Sequence, residues 1–394
     1  MRIPLGSPPR RATGSAAREP NVLHVTQPVE GGVARFVMDL ATAQLAAGLR
    51  VTVACPRGGT LTDTLRAAGC KVLPWEATRS PGPELPGEVG RLAGLLHEVR
   101  PDVVHAHSAK AGLAVRLAVR GRLPTVFQPH AWSFEAVDGV TARAALRWER
   151  FGARWATRVL CVSEAERRTG ERNGITARWN VIPNGVDTSR FRPEGSVARS
   201  GGGPLVVCVG RLCRQKGQDV LLQAWPAVVR HVPAARLVLV GGGPDADRLR
   251  TVAPASVEFT GPAADAAPWY RAADVVVLPS RWEGMALVPL EAMACGRPVL
   301  VTDVDGARES LPPGHLPHCL VPPEDPGTLA RALTALLCRA PLCAALGAQG
   351  RAHVLAAHDV QQTTDAVIDV YRELLGIVTT PVLLPAQTRE SVTT

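Results

Sequence analysis

Residues 274–302 read DVVVLPSRWEGMALVPLEAMACGRPVLVT. Two short apolar runs, 274–278 and 298–302, bracket a stretch with helical spacing. Each run is continuous rather than alternating, which marks strands buried on both faces, as in a parallel sheet covered by helices. Proline is tolerated in a helix only near its first turn, so Pro289 makes the intervening helix start near Leu287 and stop before Gly296. Glu283 then falls in the loop at the carboxyl end of the first strand, and Glu291 on the first turns of the helix. Ligands of such α/β sheets bind beyond the carboxyl ends of the strands, so this loop is the place to look for chemistry.

Working outwards, the same unit recurs. Apolar runs at 205–209, 236–240 and 257–260 precede it, and an earlier series runs through 21–26, 50–55, 102–106, 125–128 and 158–162. Gly48 stands where a helix C-terminal glycine belongs. Ser163 followed by Glu166 reads as a capping box opening a helix. Pro226, inside an otherwise helical stretch 219–231, predicts a kink. Between the two series, residues 191–204 are rich in Gly, Pro, Ser and Arg and lack periodicity, as a linker does. The expected organisation is therefore two doubly wound, Rossmann-like α/β domains facing across a cleft, 21–190 and 205–375. Residues 1–20 and 376–394 read as disordered tails, the first of them basic.

Composition narrows the function. The 394 residues carry 44 Lys plus Arg against 35 Asp plus Glu, a formal charge of +9, which favours anionic partners. The basic residues are spread along the chain rather than set on an aromatic-studded face, so nucleic acid is not expected as a partner. No apolar run reaches the ~18 residues needed to span a bilayer. Residues 1–20 lack the apolar stretch of a secretory signal, and the nine cysteines are scattered without a CxxC pair. Reduced thiols in a cytoplasmic protein are the expectation.

Two constellations suit a diphosphate. The start of the 287–295 helix offers unpaired N–H groups between two carboxylates, Glu283 and Glu291, which suit sugar hydroxyls on either side of the anion. After the strand at 205–209 comes Gly210-Arg211-Leu212-Cys213-Arg214-Gln215-Lys216-Gly217, a loop with two cations five residues apart. Lys216 is one of only three lysines, with Lys71 and Lys110, so a compact point charge stands where an arginine was far more frequent. Surface carboxylates and an ordinary basic turn are the bland alternatives.

Together with Gly31-Gly32 after the first strand, Ile182-Pro183-Asn184-Gly185-Val186-Asp187 and the 283–298 stretch, these motifs resemble the retaining GT-B glycosyltransferases of family four. The resemblance spans residues 22 to about 375. It implies that Arg211 and Lys216 hold the donor diphosphate, that Glu283 contacts the transferred sugar and Glu291 the nucleotide ribose. It also implies that Gly31 and Gly32 let the first loop approach the phosphates, and that Thr260, Gly261, Met285, Ala286 and Leu287 line the donor site. UDP-linked donors are the expectation by family frequency, with no metal or other cofactor and with retention of anomeric configuration. Ala286 departs from the glycine common at its position, and Asp305 stands where a Gly-Gly pair is common.

Within the family, residues 102–112 and 128–134 resemble bacterial cell-surface polysaccharide transferases. That places His130 near the donor sugar and the acceptor hydroxyl, and offers Lys110 to an acceptor phosphate or, equally, to a helix cap or to solvent. The acceptor expected is a hydroxyl, a lipid-linked saccharide among the candidates. Arg143, Arg147, Arg150, Arg154 and Arg158 interleave with Trp148, Phe151 and Trp155, as on a helix lying on the inner face of an anionic membrane, or on a surface helix with its aromatics turned inwards. His105 and His107 share a strand face but lack a third metal ligand in the sequence, and His315, His318 and Cys319 lack a closing shell. Asp303-Val304-Asp305 and Asp245-Ala246-Asp247 resemble metal-binding DxD triplets, where the cations already supply the positive charge. A catalytically inactive GT-B partner and a nucleotide-sugar epimerase are the rival functions.

Overall fold

The structure is a computed structural model and describes residues 19–198 and 201–377. The stretches 1–18 and 378–394, within the expected tails, lie outside the described residues. Seven strands, β1 (Asn21–Thr26), β2 (Arg50–Cys55), β3 (Lys71–Pro74), β4 (Val103–His107), β5 (Thr125–Gln128), β6 (Arg158–Cys161) and β7 (Trp179–Val181), form one sheet in the order β3-β2-β1-β4-β5-β6-β7. Six more, β8 (Leu205–Val209), β9 (Arg236–Val240), β10 (Val257–Gly261), β11 (Val275–Leu278), β12 (Val299–Thr302) and β13 (Leu320–Val321), form a second in the order β10-β9-β8-β11-β12-β13. Every pairing is parallel. The fold is the expected α/β pair of Rossmann-like sheets. The strands not read from sequence, β3, β7 and β13, are two to four residues long, and only Val321 among their residues is buried, so they carry little apolar signal.

Burial explains why these runs became strands. All six residues of β1 are buried, as are the Val275–Leu278 residues of β11, because helices cover both faces of each sheet. The strand order reverses between β1 and β4 in one sheet and between β8 and β11 in the other. Loops leaving neighbouring strands at such a point diverge to opposite faces and open a crevice. Gly31 and Gly32 open the helix after β1, His107 ends β4, and Lys216 and Glu283 lie in the connections after β8 and β11.

The chain crosses between the sheets twice. Residues 190–196 are pinned to the second lobe by Arg271, whose guanidinium donates to the carbonyls of Arg192, Arg190 and Ser196. The Val360–Leu375 helix returns to the first lobe and packs on the Gly31–Ala46 helix. At that return, Val186 bridges Asp359, and a Cβ on Gly185 would lie 2.6 Å from the Asp359 carbonyl oxygen. Glycine is thus the only residue that fits the motif there. The Gln218–His231 helix continues through Pro226 as one element. All nine cysteines are free thiols. Among the described residues no single helix is long and apolar enough to cross a membrane.

Candidate functional site

The β8 loop turns sharply enough to set Lys216 over the end of β11. Gly217 has φ +65°, and a Cβ there would meet the Pro279 carbonyl oxygen at 2.0 Å, so only glycine lets the two loops touch. Lys216 Nζ then lies 2.5 Å from Glu283 Oε1, and Ser280 Oγ donates to the same oxygen at 2.7 Å. Glu283 is 8 % exposed, too buried to be an ordinary surface carboxylate. Arg211 is exposed at the mouth of the same loop, its carbonyl accepting from Gln218 Nε2 at 3.1 Å. It lies close enough to Arg79, on the first lobe, for the two charges to repel.

The helix behind Glu283 spans Leu287–Ala294, with Ala286 as its N-cap and no side-chain hydrogen bond closing its first turn. Met285 and Leu287 turn their side chains into the core. Their contribution at the cleft is therefore the backbone. Glu291 is buried and accepts the Tyr270 hydroxyl at 2.5 Å. Burial pushes its carboxyl up, opposed by Tyr270, Arg35 and Arg190. Arg35 comes from the Gly31–Ala46 helix of the other lobe. Gly31 and Gly32 open that helix, and a Cβ at either would meet nothing within 4 Å, leaving room for a ligand. Thr260 and Gly261 end β10, and Gly261, at φ +75°, accepts the Gly241 N–H at 2.9 Å.

The two lobes meet at Gly284. A Cβ on it would lie 2.7 Å from Glu166 Oε1 and 2.9 Å from the Ala131 nitrogen. His130, one residue before, is therefore brought to the Glu283 loop. His130 and Ala131 both hold left-handed backbones, φ +54° and +89°, a strain that residues with Cβ bear only where the surroundings impose it. Glu166 imposes it here, accepting Ala131 N–H at 2.6 Å and Val162 N–H at 2.8 Å. Burial pushes the Glu166 carboxyl up to about 7 against those two bonds, helped by the neighbouring Asp305. Ser163 does cap its helix, accepting Glu166 N–H at 3.0 Å. The Glu166 side chain, however, takes the N–H of Val162 and not that of Ser163, so the expected box is only half formed.

Further bonds fix one lobe on the other. Ser163 Oγ donates to the Gly284 carbonyl at 2.8 Å, and Asn184 Nδ2 to the Met285 carbonyl at 2.7 Å. Glu309 accepts the N–H groups of Glu164 and Ala165 at 2.7 and 2.8 Å. These roles escape a local motif search, apart from Asn184 in its six-residue motif.

Lys110 corrects the expectation. It is buried and paired with Glu88 at 2.6 Å, with Ser80 and Thr78 as further acceptors at 3.1 and 3.4 Å. Its charge is spent inside the first lobe rather than on an acceptor phosphate. The DxD triplets are also committed: Asp303 to Arg308, Asp305 to Thr169, Asp245 to Arg248 and Asp247 to Arg250. His105 and His107 do acquire a third histidine, because parallel pairing sets His24 beside His105.

On the aromatic-basic helix, Phe151 is 43 % exposed and stacks under Arg154 at 3.6 Å, with Trp155 against it at 5.0 Å. Trp148 and Trp155 are only partly exposed, so the aromatics turn partly inwards.

Comparison with known proteins agrees with this fold. The family profile described as Glycosyltransferase Family 4 matches residues 30–190, and that of Glycosyl transferases group 1 matches residues 203–339. A GDP-mannose-dependent alpha-(1-6)-phosphatidylinositol monomannoside mannosyltransferase of Mycobacterium tuberculosis is 34% identical over 320 residues, covering 75% of this chain and 81% of the relative. A UDP-Gal:alpha-D-GlcNAc-diphosphoundecaprenol alpha-1,3-galactosyltransferase of Escherichia coli is 30% identical, covering 55% of this chain and 61% of the relative. In fold, the chain resembles Anabaena HepE solved with UDP and glucose, at TM-score 0.76 and 22% identity over 89% of this chain and 99% of the other. It also resembles a sucrose-phosphate synthase from Thermosynechococcus elongatus, at TM-score 0.77 and 23% identity over 91% of this chain and 100% of the other.

Proposed function

The chain belongs to glycosyltransferase family 4, and from that premise we propose that it moves a hexose from a nucleoside-diphosphate sugar to a hydroxyl acceptor with retention of configuration. The observation that carries this reading is the convergence of Lys216, Glu283 and an uncapped helix start from two neighbouring strand ends, with Ala131, next to His130, against Gly284 from the other lobe.

The donor diphosphate takes Lys216, Arg211 and the first N–H groups of the Leu287–Ala294 helix. As the bond between the anomeric carbon and the phosphate oxygen breaks, charge grows on the leaving group. Fixed cations and dipoles there stabilise the transition state more than the bound substrate. The acceptor oxygen bonds to the anomeric carbon on the same face, and its proton goes to a departing phosphate oxygen. No covalent enzyme nucleophile and no metal is required. Glu283 and Glu291 accept hydrogen bonds from the sugar and the ribose.

The relatives' names print two bases, GDP for the mannosyltransferase and UDP for the galactosyltransferase. UDP is the base the family resemblance favours; the greater coverage of the mannosyltransferase favours GDP-mannose. Both relatives' names carry lipid-borne acceptors, so a glycolipid or lipid-linked saccharide is the acceptor proposed for cell-surface assembly. The exposed face of the Gly139–Gly152 helix, with Arg143, Arg147 and Arg150, together with Phe151 and Arg154, is proposed to rest on the inner face of an anionic membrane.

A thermal-shift series of UDP, GDP and their hexose conjugates selects the donor. NMR of product with that donor then reads the anomeric configuration. Inversion, or absence of transfer to any lipid-linked or free saccharide, overturns the proposal. Donor interconversion without acceptor identifies an epimerase, and absence of donor binding an inactive partner.

A further inference from the structure

Behind His130 lies a run of buried side chains that the transfer reaction, as described above, does not use. His24 from β1, His107 from the end of β4 and Gln44 from the Gly31–Ala46 helix are fully buried. They are joined end to end. Gln44 Oε1 lies 2.8 Å from His24 Nε2, His24 Nδ1 2.9 Å from His107 Nε2, and His107 Nδ1 3.2 Å from His130 Nε2. Phe36 closes one side of His130 edge-on at 4.9 Å.

In a chain of neutral imidazoles each ring has one N–H and one lone pair, so the partner at one end sets every ring in turn. That end is Gln44. Gln44 Nε2 is buried and meets no hydrogen-bond partner among the described residues, whereas Gln44 Oε1 lies 2.8 Å from His24 Nε2. The amide oxygen is therefore the atom that faces His24. The Tyr371 hydroxyl oxygen lies 2.6 Å from His105 Nδ1. His24 Nε2 must then carry the proton that Gln44 accepts, leaving His24 Nδ1 bare. His107 Nε2–H donates to it, and His130 Nε2–H donates to the bare His107 Nδ1.

We propose that Gln44, His24 and His107 are positioning residues that lock His130 as a neutral imidazole with its proton on Nε2 and a lone pair on Nδ1. His130 then presents an acceptor to a sugar or acceptor hydroxyl and does not present a cation. Burial supports the neutral state throughout, holding His24 down at about 4 and His130 at about 3, and His105 and His107 well below the usual imidazole range. The kinetic part of this inference rests on the transferase reading of His130; the tautomer does not.

The test is nitrogen NMR of the full chain labelled with 15N-imidazole histidine, without substrate, the His130 signals being assigned by their loss in His130→Ala. Expected is a bare Nδ1 and a protonated Nε2 near neutral pH. In Gln44→Leu the chain loses its anchor, His130 becomes a mixture of tautomers, and kcat falls roughly tenfold with the donor KM held. Protonation of His130 Nδ1 in the wild type overturns the proposal, as does an unchanged tautomer in a folded Gln44→Leu. Stoichiometric zinc uptake by His24, His105 and His107 also overturns it, because the metal would consume the lone pairs. If His130→Ala transfers sugar at the wild-type rate, the transferase role of His130 falls while the tautomer result stands.

Discussion

Lys216 Nζ rests 2.5 Å from Glu283 Oε1, so the cation and the carboxylate proposed to serve the same donor are paired with each other. The pair joins the loops after β8 and β11, and the close contact of Gly217 with Pro279 makes it possible. On the proposed reading, the donor diphosphate draws Lys216 away from Glu283 and leaves that carboxylate to accept a sugar hydroxyl. On that reading, one ion pair couples phosphate binding to sugar recognition.

Lys216→Ala is expected to lower kcat about a hundredfold at saturating donor, corresponding to roughly 3 kcal/mol of transition-state stabilisation. Steady-state assays of nucleoside-diphosphate release read this directly. Transfer at the wild-type rate removes Lys216 from the mechanism.

Chelation is expected to leave turnover unchanged. The DxD carboxylates are engaged by Arg308, Thr169, Arg248 and Arg250, and the proposed diphosphate charge is met by side chains instead. Activity lost in EDTA and restored by a divalent cation would contradict the metal-free reaction.

Stability is expected to fall as pH rises from 4.5 to about 7 through Glu166, whose carboxyl burial pushes up from 4.5 to about 7. The native state binds more protons than the unfolded chain across that window, so the contribution is fully present below it and lost above it. The size is of order 3 kcal/mol. Glu135 and Asp39, also raised to about 7, act in the same direction. Glu166→Gln should therefore flatten the slope of Tm against pH without abolishing it, while lowering Tm through one lost backbone bond. An unchanged slope would show that Glu166 ionises normally.

Gly185→Ala is expected to destabilise the fold by about 2–3 kcal/mol. The added methyl meets the Asp359 carbonyl at 2.6 Å and the Thr363 hydroxyl at 2.6 Å, and the first of these is backbone that cannot swing aside. A lower denaturation midpoint at equal m-value is the readout.

Binding to vesicles of anionic lipid is expected to drop at least tenfold when Arg147 and Arg150 become Glu together with Phe151→Ser, and to be weak on neutral vesicles for all forms. Equal sedimentation of wild type and variant would place the membrane contact elsewhere or nowhere.

The sites legible in the sequence are those where one loop carries its own meaning. Pro289 fixed the start of the Leu287–Ala294 helix, and the rarity of lysine singled out Lys216. The same rarity misled at Lys110, because nothing near it in sequence announces Glu88, its partner from another helix. Gly284 and Ala131 illustrate the opposite limit: their contact across the lobes decides where His130 stands, yet each is an unremarked small residue in its own segment.

Sequence alone determined the two parallel α/β sheets and most of their strands, since burial of both strand faces is written as local apolar runs. It also determined which strand-end loops carry cations and carboxylates. Only tertiary structure decided the partners of those groups: His24 meets His107 from 83 residues away and His105 meets Tyr371 from 266. Strand order and register set these meetings, and both are long-range properties that no local periodicity encodes.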